Sequence, residues 1–109
     1  MRAHSLIPLL WFLALTPAAA NVDPAAAEAL AKQSHCFKCH LIDRKKESTS
    51  WHDIAAKYRG KPEAEEILMH HVTAGDKVKF DDGHEERHKK VKTDDPAQIR
   101  NLVDWILSL

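Results

Sequence analysis

The stretch Cys36-Phe37-Lys38-Cys39-His40 constrains this chain more than any other. It reads C-x-x-C-H, the attachment pattern for a covalently held haem. The spacing follows from the chemistry. Two thiols so placed at the start of a helix reach the two vinyl groups on one haem edge and form thioethers. His40 then falls below the porphyrin plane, where its imidazole binds iron as the proximal ligand. Cys36 and Cys39 are the only cysteines, so none is left over.

Three other readings of the pair fit less well. A thioredoxin-type disulfide wants a strand before the motif, and the residues before Cys36 are Ala-rich and helix-like. Half of a zinc site wants a second Cys or His pair at short spacing; His70-His71 and His84/His88 are loose candidates. A structural disulfide in an exported protein needs no following histidine.

The start of the chain predicts export. Arg2, the apolar run Leu6 to Leu15 and Ala18-Ala19-Ala20 form a signal-peptide pattern over residues 1–20, with cleavage near Ala20. An uncleaved membrane anchor is the competing reading, and Pro8 and Pro17 break its helix. Residues 21–109 then make one small domain, for which a buried haem supplies missing apolar area. The chain has 16 basic and 16 acidic residues, and the leader removes one basic residue, Arg2. That balance excludes nucleic acid as an expected partner, and no stable membrane insertion is expected after cleavage. With three glycines and no long apolar alternation, the fold class is all-α.

Four or five helices follow from caps and periodicity. Asp23-Pro24 opens the first, with Ala26, Ala27, Leu30 and Ala31 on one face. Polar residues Asp43 to Ser50 form a loop, and a carbonyl near Thr49 is expected to fix the His40 ring. Ser50 caps a helix Trp51 to Tyr58, closed by Arg59-Gly60. Lys61-Pro62 begins the next, with Ile67, Leu68, His71 and Val72 on one face and Gly75 as its stop; His70 and His71 read as surface or helix-end residues. Gly75 to Lys92 is charged, without a clear period, and has a turn signal at Asp82-Gly83. Asp95-Pro96 opens the last helix, where Ile99, Leu102, Val103 and Ile106 form an apolar stripe expected to cross the first helix.

The C-x-x-C-H helix, the Trp51 to Tyr58 helix, the Glu-rich helix ending at Gly75 and the terminal Ile99 to Leu109 helix together resemble the small bacterial class I cytochromes c. The resemblance covers essentially all of residues 21–109. It implies a class I cytochrome c-like fold around one covalent haem c, with thioethers at Cys36 and Cys39, His40 on the iron, and periplasmic one-electron transfer between redox partner proteins. Two departures matter. The family's Gly-Pro before the Trp51 position is here Ser48-Thr49. Its distal Met, in a loop before the last helix, has no counterpart: Met1 lies in the leader and Met69 lies mid-helix. Counting back from Asp95 puts the distal position near Lys89; counting forward from Gly75 puts it near Glu85. His88 is therefore the expected distal ligand and His84 the second choice, against a solvated segment that leaves Lys89 or water on iron. Bis-histidine ligation predicts a low reduction potential, because imidazole donates more strongly than a thioether and favours ferric iron. A monomeric electron carrier is the expected function. A haem-based ligand-binding or sensor protein with a displaceable distal ligand is the alternative. An enzyme is not expected, since no acid–base constellation beyond the histidines is visible.

Overall fold

The structure is a computed structural model that describes residues 21–109. The expected signal peptide, residues 1–20, lies outside the described residues. Four α-helices carry the fold: α1 Pro24–Gln33, α2 Trp51–Tyr58, α3 Ala64–Thr73 and α4 Pro96–Ser108, with a single 3-10 turn at Cys36–Lys38.

Local chemistry sets most helix starts. The Asp23 and Asp95 carboxylates accept the N–H groups of Ala26 and Ala97, and each is followed by a proline at the helix start. The Ser50 hydroxyl accepts from Asp53 N–H and opens α2 as expected. α3 starts later than Lys61-Pro62 suggests. Gly60, at φ +82, turns the chain, and residues 61–63 form a tight turn through Lys61 N–H to Tyr58 O and Ala64 N–H to Lys61 O.

The terminal helices pack extensively on each other, and α2 and α3 both lean on α4. The core holds Ala27, Leu30 and Ala31 of α1, Trp51 of α2, Leu68 and Val72 of α3, and Ile99, Leu102, Val103, Trp105 and Ile106 of α4. Small alanines on α1 let α4 approach closely. Two expected core positions differ. Ala26 is exposed in the first turn beside its cap, and Ile67 is exposed because Leu68 and Val72 take the stripe that faces α4. Asn101 clasps the chain at Asp23: its amide oxygen accepts Asp23 N–H at 2.8 Å and its amide N–H donates to Asp23 O at 2.9 Å.

The charged segment is more ordered than its sequence suggests. Strands β1 Lys77–Lys79 and β2 Glu85–Arg87 pair antiparallel, with Lys77 opposite Arg87, Val78 opposite Glu86 and Lys79 opposite Glu85. Three-residue strands are too short for an alternating pattern to register. The turn falls at Asp82-Gly83, with Gly83 at φ +90.

Candidate haem site

The cysteine turn sits at the end of α1. The chain swings there through His35, whose φ of 60° is left-handed, and Cys36–Lys38 form the 3-10 turn. Cys36 and Cys39 line one recess. Burial pushes the Cys36 thiol up, and the neighbouring Cys39 adds to the rise.

His40 follows the turn. Its Nδ1 lies 2.8 Å from the carbonyl oxygen of Thr49, in the loop where the sequence placed the orienting group. Nδ1–H donates to that oxygen, which fixes the ring and leaves Nε2 for a metal. Trp51 stacks beside it, ring centres 5.9 Å apart and planes 21° apart. Burial holds the His40 pKa below its usual value, partly offset by the Thr49 bond, so the imidazole is neutral, as a metal ligand must be.

His88 faces His40 across the cavity. After β2, a strap of residues 87–92 runs back over α3, tied by His88 N–H to Asp76 O at 2.8 Å and Val91 N–H to Val72 O at 2.9 Å. The ring centres of His40 and His88 are 6.2 Å apart. Two imidazoles that grip one metal ion from opposite sides, each through a nitrogen at about 2 Å, have ring centres roughly 6 Å apart. His88 Nδ1 is buried with no hydrogen-bond partner. Burial, and then the nearby His40, depress the His88 pKa.

His40, His71 and His88 line a cavity of about 410 Å³, which Ile54, Leu68, Val78 and Phe80 also border. It continues into a recess of about 70 Å³ against Cys36 and Cys39. Apolar side chains on the inner wall, with polar and charged ones such as Lys45, Asp53 and Lys57 at the rim, suit a flat cofactor with a hydrophobic body and charged edge groups. The residues fit a haem: two cysteines line the recess, and the His40 and His88 imidazoles line the cavity.

The other candidates lie elsewhere. His84 is exposed at the hairpin turn, its ring stacked on Phe80 at 4.4 Å. It pairs with the Asp82 carboxylate and lies 3.4 Å from Glu86, and the Asp82 bond raises its pKa. Met69 packs half-buried against the helical core, outside the cavity lining. His70 pairs with Asp76 at 2.7 Å on the surface. No group of three or more His, Cys, Asp and Glu side chains among the described residues suits a zinc ion.

Sequence reasoning missed His71. It lines the cavity with its ring 3.9 Å from that of His88. Burial, then His88 and His40, push its pKa down to about 4. It lies exposed in the last turn of α3, as expected of a helix-end residue, and its place on the stripe with Leu68 and Val72 turns its ring to the cavity.

A family model for cytochrome c matches residues 24–109. Cytochrome c-552 of Hydrogenobacter thermophilus is 33% identical over 84 residues, covering 77% of this chain and 82% of its own. Cytochrome c-551 of Pseudomonas aeruginosa is 32% identical over 109 residues, covering 99% of this chain and 98% of its own. Among solved structures, the class 1 cytochrome MtoD from Sideroxydans lithotrophicus ES-1 superposes with a TM-score of 0.77 at 54% identity, over 81% of this chain and 97% of that one.

Proposed function

The chain belongs to the cytochrome c family, and from that premise we propose that it is a periplasmic one-electron carrier, not an enzyme, whose iron is held by His40 and His88. Members of the family carry one covalent haem c and work with redox partner proteins. When bound, the haem supplies an iron that takes up and releases one electron.

This chain's residues do the rest. Cys36 and Cys39 would hold the haem through thioether bonds to sulfur. Thr49 O fixes the His40 tautomer and ring direction, and Trp51 backs the ring. Leu68, Val78 and Phe80 would supply apolar wall against the haem and limit its contact with water. The leader pattern over residues 1–20 supports export.

One observation carries the ligand assignment: two imidazoles stand 6.2 Å apart on the cavity lining, and Met69 lies outside it. Bis-imidazole ligation lowers the potential relative to a thioether ligand. The purified ferric protein is expected to be low-spin without the absorption of a Met–iron bond. Redox titration should place its potential below that of the His88→Met variant. A Met–iron signature in the parent protein, or equal potentials, would overturn the assignment. Carbon monoxide separates the carrier from a gas-binding protein: the reduced carrier resists it, whereas a sensor takes it up rapidly.

A further inference from the structure

Ser34 and Arg87 hold the two ends of the strap that carries His88. Ser34, at the end of α1, is 1% exposed, one of only two buried polar residues among those described. Its hydroxyl accepts the backbone N–H of Lys92 at 2.9 Å, across 58 positions of sequence. Arg87, immediately before His88, donates from Nη1 to the carbonyl of Gly75 at 3.2 Å. Between these points the strap has the two backbone bonds to Asp76 and Val72. Apart from these, β2 has only its three-residue partner β1. A ribbon that short is not stable by itself.

We propose that Ser34 and Arg87 are positioning residues that latch the distal ligand, so that His88 stays on the metal rather than yielding to an incoming small molecule. The inference rests on His88 being that ligand. Ser34 precedes His35 and the Cys36 turn, so its hydroxyl joins the sulfur-bearing side of the cavity to the strap on the opposite side. A buried hydroxyl is costly unless it is used, and here its acceptor role falls on the strap. Arg87 acts at the other end, where the chain leaves the ribbon. Loosening either end lets His88 swing out more often, without removing a ligand.

The rate of carbon monoxide binding to the reduced, haem-loaded protein reads that opening directly. Ser34→Ala and Arg87→Ala are each expected to bind about fivefold to tenfold faster than the parent, the factor that one hydrogen bond is worth. Ser34→Thr, which keeps the hydroxyl, should bind at the parent rate. All three should keep the low-spin ferric spectrum, which also reports that they fold. Arg87→Ala lies on the exposed strap and keeps the test open should Ser34→Ala not fold. Parent-like rates in a folded Ser34→Ala or in Arg87→Ala, or a Ser34→Thr as fast as Ser34→Ala, would overturn the latch. His88→Ala separates the two ideas. If it binds no faster than the parent, the ligand assignment falls and the latch falls with it. If it is fast while the latch variants match the parent, the latch alone fails.

Discussion

Trp51 is the side chain on which the proximal half of the site converges. It is 3% exposed. Its ring lies 5.0 Å from Phe37 in the cysteine turn, 5.9 Å from His40 and 5.5 Å from Trp105 of α4. One indole thus joins the cysteine turn, His40 and the last helix. Ser50, buried just before it, fixes where that indole starts by capping α2. Ser50→Ala is expected to cost about 1 kcal/mol in denaturant unfolding, with haem still attached; a loss below about 0.3 kcal/mol would show that the cap is dispensable. These residues were legible in the sequence because a cap and a helix-starting Trp are local features. The Thr49 carbonyl was legible for another reason: a ligating imidazole needs an acceptor, and the loop before α2 was in reach. Ser34 was not. A serine at a helix end looks like surface until the strap folds over it.

The pairing of α3 with α4 contains a carboxylate conflict. Glu65 of α3 meets Asp104 and Arg100 of α4, with Arg100 Nε 2.9 Å from a Glu65 oxygen. Burial, then a hydrogen bond and repulsion from Glu65, raise the Asp104 pKa to about 6, while Arg100 pulls it down. The folded chain therefore holds this proton more tightly than the unfolded chain, where the group titrates near 3.8. The stabilisation is full below pH 3.8 and is lost as pH rises through about 6. Asp104→Asn should melt at the parent temperature near pH 4 and above it at pH 7.5; an equal difference at both values would exclude the mechanism. Helix positions and their core stripes were legible because caps and a 3.6-residue period are written along one segment. The hairpin was not, because Lys77 and Arg87 meet only through backbone pairing, and a run of charges carries no period. That hairpin places His88 over the cavity and turns His84 out to solvent.

At the scale of the whole molecule, C-x-x-C-H and the terminal apolar stripe made the fold class readable, because few chains of this size enclose a cavity without a cofactor to complete their core. The distal side was readable only as a window of residues, since its geometry depends on contacts with α3 that no local pattern encodes. The Asn101 clasp on Asp23 adds a consequence in time. It joins positions 78 apart, and the helix that leads into the thiols packs on a helix that is synthesised well after it. A chain produced from its amino end therefore displays Cys36 to His40 long before Pro96–Ser108 exists. For that interval the sulfurs stand open to whatever delivers the porphyrin. A chain that stops before Pro96 is expected to acquire covalent haem yet show little helical circular dichroism; a truncated chain that stays colourless would mean that closure comes first.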